Sequence, residues 1–83
     1  MGSRFGADSQ ARFDANIDAA IGLVDRALAL NPSFARGWLF SGTLRSWAGQ
    51  HNLAIEHLET SVALAHTSGD RELFLSGLRL AAK

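Results

Sequence analysis

Cysteine and tyrosine are both missing from this chain of 83 residues. Without cysteine there is neither a disulfide framework nor a thiolate metal site, and the pattern fits a reducing compartment. Without either residue, two common side chains for nucleophilic or acid catalysis are gone. Lysine occurs once, at Lys83, and the arginines stand singly along the chain. A nucleic-acid footprint needs clustered Lys and Arg, and a membrane-surface patch needs a polybasic run, so neither partner is expected. No apolar stretch approaches the roughly 18 residues of a membrane span. The opening Met1-Gly2-Ser3-Arg4-Phe5-Gly6 lacks the apolar core of a signal peptide. The expectation is a soluble, cytoplasmic, single small domain. A chain this short buries only about 60% of its unfolded surface.

Proline is nearly absent too, and its single occurrence is informative. Ile17, Ala20, Ile21, Val24, Ala27 and Leu28 recur at spacings of three and four, the stripe of an amphipathic helix. Asn31-Pro32 ends it, because the residue before proline is pushed out of helical geometry. Ser33 is the expected cap of a second helix over about 34–48. That helix is apolar nearly all round, with Trp38, Leu39, Phe40, Leu44 and Trp47 and only Arg36 and Arg45 charged. Such a helix is normally covered on more than one side. Gly49-Gln50 closes it, and Asn52 is the expected cap of a third helix. Leu53, Ile55, Leu58, Val62 and Leu64 supply the third helix's apolar positions. His66-Thr67-Ser68-Gly69-Asp70 reads as a loop, followed by a last helix from about Arg71. Alternating β-branched runs are lacking, so the fold class is all-α. Whether residues 7–30 make one long helix or a pair broken near Ala15-Asn16 is open at this level.

A displacement of 34 residues lays the first long helix on the third. Ala20, Ile21, Ala29 and Leu30 meet Ala54, Ile55, Ala63 and Leu64, and Val24, Asp25 and Leu28 meet Leu58, Glu59 and Val62. At a displacement of 35, Ser41-Gly42 meets Ser76-Gly77, and the extra residue falls in the stretch 66–70, where insertion costs least. An unrelated bundle shares small residues and a Trp at helical spacing, but not this register.

A period of 34 in helix–turn–helix units resembles the tetratricopeptide repeat, whose pattern runs W-x₂-L-G-x₂-Y, A-x₃-F and P. Trp38 and Gly42 stand at its Trp and Gly places, Ala54 at its Ala and Leu58 at its Phe. Ala20, Val24 and Pro32 match in the preceding unit. Ser41, Arg45 and His66 depart from its Leu, Tyr and Pro. The resemblance implies antiparallel helix pairs of an α-α superhelix, about two to two and a half repeats in one domain, 1–83. Residues 1–14 would be an extension or partial first helix and 15–34 the second half of one repeat. Residues 35–68 would be a full repeat, and 69–83 the first helix of a third or a cap. Leu28-Ala29-Leu30-Asn31-Pro32, Trp38-Leu39-Phe40-Ser41-Gly42 and Ala54-Ile55-Glu56-His57 are also similar to the repeat-bearing tails of some bacterial adenylyl cyclases. That resemblance implies a regulatory or docking fragment of a larger signalling protein.

No catalytic or metal motif is expected. The HExxH zinc motif needs Glu next to its first His and a second His four residues on; here Glu56 precedes His57, and four residues on stands Ser61. His57 and His51 read as solvent-facing, and His66 as a complement to the negative end of a helix dipole. Ser41 and Ser76 precede glycines outside any strand–helix elbow, and no phosphate-binding glycine loop occurs. Asp14 and Asp18 read as a solvated edge. The chain is therefore expected to have no enzymatic activity, cofactor or metal.

What remains is binding. The resemblance implies a concave surface lined by the first helix of each pair, here Arg36, Leu39, Phe40, Thr43, Ser46 and Trp47. Family members that grip a C-terminal carboxylate use Lys and Asn at such places, and this helix has neither. The expected partner is an apolar or amphipathic segment of a protein or peptide. Trp38, at the repeat's packing position, is expected to be buried, and Trp47 accessible. On the last helix, Phe74, Gly77, Leu78 and Ala81 are expected to pack inward. Leu73, Leu75 and Leu80 would then lie bare and drive self-association into a homo-oligomer, most simply a two-fold dimer.

Overall fold

The structure is a computed structural model that describes the backbone of residues 2–81 and the side-chain surroundings of residues 9–80. It is all helical, with no strand among the described residues. The elements are α1 (Gly2–Leu30), α2 (Ala35–Trp47), α3 (His51–Ser68) and α4 (Arg71–Ala81). Each helix packs on the next in the chain, and α4 also touches α2, whereas α1 meets neither α3 nor α4 among the described residues. The result is a row of helices folded back and forth, 51 × 28 × 20 Å in extent.

α1 is one helix: nothing near Ala15-Asn16 breaks it, and its N-terminal half runs past the end of the much shorter α2. Residues 9–16 are exposed, and burial begins at Ile17 and continues through Ile21 and Leu28. The chain reverses at Asn31-Pro32-Ser33, where the Phe34 N–H donates to the Asn31 carbonyl at 3.1 Å. Ser33 does not cap α2 as expected. Phe34 occupies the cap position without a side-chain hydrogen bond, and Gln50 rather than Asn52 does the same for α3. Trp38 holds the first reversal instead, its indole Nε1–H donating to the Pro32 carbonyl at 2.8 Å.

Two reversals need a residue with positive φ, and glycine stands at both: Gly49 at 82° and Gly69 at 78°. The stretch 66–70 is not a five-residue loop. α3 runs on to Ser68, with the Thr67 and Ser68 hydroxyls donating to the Ala63 and Ala65 carbonyls. α4 then starts directly from Asp70, whose Oδ1 accepts the Leu73 N–H at 3.1 Å.

Small residues set the helix spacing. A Cβ on Gly42 would lie 2.6 Å from Leu58 Cγ and 3.1 Å from the Ala54 carbonyl oxygen, so α2 and α3 cross there almost backbone to side chain. Ser61, fully buried on α3, donates to the Ala35 carbonyl at 2.9 Å across the same interface. Gly77 repeats the device, its missing Cβ falling 2.6 Å from Val62 Cγ2. This approach turns α4 so that Leu73, not Phe74 and Leu78, enters the core. Leu73 is buried, Phe74 is half-buried and Leu78 is exposed. Gly42→Ala is expected to cost about 1–3 kcal/mol through overpacking. Gly22→Ala, in an open stretch of α1 with nothing within 4 Å of the added carbon, should instead stabilise by about 0.5–1 kcal/mol. Urea midpoints of the two variants moving in the same direction would contradict this packing.

Candidate functional site

One face of α2 is left uncovered by the fold, and it carries the two most exposed aromatic side chains among the described residues. Phe40 is 51% exposed and Trp47, two turns further on, is 61% exposed. Residues seven apart share a helix face, and Leu39 and Thr43 lie between and beside them. Val24 of α1 and Leu80 of α4 flank this strip, and with Leu44 they complete a groove of about 410 Å³. Among the described residues no charged side chain lines it. The Thr43 hydroxyl donates to the Leu39 carbonyl at 2.9 Å, so even the one polar residue has its hydrogen bond met inside the helix. Burying such a strip removes apolar area from water without stranding a polar group.

Of the six groove residues carried over by resemblance, Leu39, Phe40, Thr43 and Trp47 line this surface. Arg36 and Ser46 are exposed outside it, and Arg36 instead approaches Asp70 at 3.8 Å. The three leucines expected to self-associate divide differently. Leu73 is in the core, because Gly77 lets α4 lie close on α3; Leu80 turns into the groove; only Leu75 is exposed.

Behind the groove, a polar chain ties three helices together. The Arg45 guanidinium, only 11% exposed, makes two hydrogen bonds to the Asp25 carboxylate on α1, at 3.0 and 3.2 Å. It also donates to Ser41 Oγ one turn back on α2. Ser41 is fully buried and lies 2.6 Å from His57 Nδ1 on α3. Arginine can only donate, so Ser41 accepts from Arg45, and His57 Nδ1 is the one hydrogen-bond partner left that can take the buried Ser41 proton. That placement of the proton corresponds to the neutral tautomer with hydrogen on Nε2. Trp38 meets the same ring edge-on, with centroids 4.9 Å apart at 87°. Burial, and next the Arg45 charge, lower the His57 pKa from its ordinary value of 6.5, against smaller opposite pulls from Asp25 and Glu56.

Compared with known proteins, the chain matches no family model, no curated protein and no solved structure.

His57 is thus not the solvent-facing histidine expected from the sequence; it is half-buried in this network. A hydrogen-bonded Ser and His invite comparison with a nucleophile and its base. Ser41 Oγ, however, is closed off from solvent and held by a guanidinium, so a substrate carbonyl has no approach to it. Among the described residues no three His, Asp or Glu side chains gather in a way that could hold a metal ion, and no helix is long and apolar enough to cross a membrane. The network's role in this geometry is to position α2. Asp25 is about half exposed, which screens its pairing, but its loss leaves a nearly buried guanidinium charge short of a partner. Asp25→Ala is expected to cost about 1–2 kcal/mol. Adding Arg45→Met should restore much of that loss, a coupling measurable as a double-mutant cycle in urea.

Proposed function

We propose that this chain is a non-catalytic protein-interaction module that takes an apolar or amphipathic segment of a partner protein into the groove on α2. The observation that carries the reading is the groove itself. Two large aromatics, Phe40 and Trp47, stand exposed on one helix face, flanked by Val24 and Leu80 and without a charge among the lining residues. Aromatic anchors in an apolar concavity are where binding energy concentrates. The serial packing of α1 to α4, with α4 touching α2 and the close approaches at Gly42 and Gly77, supports tetratricopeptide-like pairs. In that reading α2 and α3 form the complete repeat, and α4 is the first helix of a third repeat or a cap. The same reading sets the chain in the cytoplasm, where cysteine-free packing is at no disadvantage. The test is selection of peptides from a phage-displayed random library by the wild-type chain, with Phe40→Ser and Trp47→Ser chains as controls. Apolar sequences enriched by the wild type alone support the reading; no enrichment, or equal enrichment by all three chains, overturns it.

A second reading, self-association or docking of a signalling fragment similar to the adenylyl cyclase tails, is favoured by a different surface. Leu23 is 61% exposed and Leu30 89% exposed on α1, seven residues apart, with Ala27 between them. Among the described residues no helix covers this face. Leaving such side chains in water forgoes about 1.5–3 kcal/mol each. Sedimentation equilibrium over a hundredfold concentration range is expected to show the wild type passing from monomer to dimer. Leu23→Glu with Leu30→Glu should remain a monomer throughout. A wild type that stays monomeric would remove this reading and leave the groove standing.

A further inference from the structure

We propose that His57 is a proton-operated latch: neutral, it fastens α3 to α2 through Ser41 and Arg45, and when protonated it releases α2 and weakens the groove that helix carries.

The latch follows from the direction of each hydrogen bond. Ser41 Oγ accepts a hydrogen bond from Arg45 and, with His57 neutral and its hydrogen on Nε2, donates one to His57 Nδ1. A protonated imidazole carries hydrogen on both nitrogens. Ser41 would then face donors from both sides, with its own hydroxyl proton left without an acceptor. Ser41 is completely buried, so water is not at hand to take that proton, and an unmet buried donor is costly. The Arg45 guanidinium, itself nearly buried, would also confront a second positive charge across one hydroxyl. The groups facing His57 do not cancel this: Asp25 on α1 is already engaged twice by Arg45, and Glu56 on α3 is exposed. The helix released is the one that bears Leu39, Phe40, Thr43 and Trp47, so the latch rests on the groove reading above for its consequence.

The sign is determined by the shift. Burial and Arg45 hold the folded-state pKa of His57 below its ordinary value. The unfolded chain therefore binds the extra proton first as pH falls. The stabilisation is fully present above about pH 6.5 and is lost as pH drops toward and through the folded-state value. His51 and His66 are both exposed and take no part in these hydrogen bonds.

The test compares the wild-type chain with His57→Asn, whose amide oxygen takes the place of Nδ1 as a permanent, uncharged acceptor for Ser41. Thermal melts are run from about pH 7.5 to about pH 5, beside His51→Asn/His66→Asn. The melting temperature of the wild type and of the double variant should fall on acidification, and that of His57→Asn should stay level. In wild-type chain, the His57 ring proton followed by NMR should titrate below the ordinary histidine value of 6.5. Equal loss of melting temperature in wild type and His57→Asn, or a His57 ring that titrates at or above 6.5, overturns the latch; the ring titration decides the matter even if His57→Asn does not fold. These measurements need no ligand and so judge the latch separately from the groove. A library-selected peptide that binds at pH 7.5 should be released by the wild type near pH 5 and retained by His57→Asn. Equal retention by both overturns the link to the groove, while failure to select any peptide at pH 7.5 counts against the groove reading itself.

Discussion

Replacing Trp38 with alanine is expected to lower stability by about 3 kcal/mol, the lower end of the range for a truncated core aromatic. A domain of this length holds on the order of 4–12 kcal/mol in all, so the variant should be partly unfolded at body temperature. The indole is half-buried, and its loss acts at two places. The Nε1–H that closes the α1–α2 reversal on the Pro32 carbonyl disappears, and the ring that packs edge-on against His57 disappears with it. Trp47, nine residues along the same helix and mostly exposed, should behave oppositely: Trp47→Ala is expected to change stability by no more than about 0.5 kcal/mol, as for other surface substitutions. Thermal melts followed by circular dichroism decide the assignment. A larger loss in the Trp47 variant would mean the two faces of α2 are interchanged.

The second large effect is on binding. Phe40→Ser and Trp47→Ser are each expected to weaken capture of a groove-binding peptide by about 2 kcal/mol or more, roughly thirtyfold, as for central aromatic anchors. Helicity should be unchanged, since neither side chain belongs to the core. Arg36→Ala and Ser46→Ala, at exposed positions outside the groove lining, should leave affinity within about twofold. Isothermal titration of the four variants against one library-selected peptide checks the pattern. Arg36→Ala matching Phe40→Ser in its loss would move the site toward the Arg36–Asp70 end of α2.

The fold and its site were legible in the sequence to different depths, for physical reasons. Pro32, Gly49 and Gly69 mark all three reversals because each enforces or permits a backbone geometry that other residues resist. The groove strip came from the resemblance, which carried over six residues: Leu39, Phe40, Thr43 and Trp47 line the face that α1 and α3 leave free, and Arg36 and Ser46 do not. Side-chain competition was harder to read. Thr67 and Ser68 look like loop formers, yet inside α3 their hydroxyls return to the carbonyls of Ala63 and Ala65, which lets the helix continue. The last helix is apolar on several faces, so periodicity alone could not choose between Leu73 and Phe74; the close approach of Gly77 to Val62 chose. His57 was missed because its partners lie on other turns and other helices. One signal was present: Ser41 and Arg45 stand one turn apart on a nearly uncharged helix, and an arginine in such a place requires a partner. Asp25, twenty residues earlier, could be identified as that partner only once α1 and α2 were packed.

The groove on α2 is defined most directly by where a bound segment sits. The decisive measurement is chemical-shift mapping of the isotopically labelled chain as a library-selected peptide is added. The account predicts that the Trp47 indole N–H and the signals of Leu39, Phe40, Thr43 and Leu80 move together and saturate at one peptide per chain. Movement confined to Leu23, Ala27 and Leu30 on α1, with the α2 strip unmoved, would contradict it.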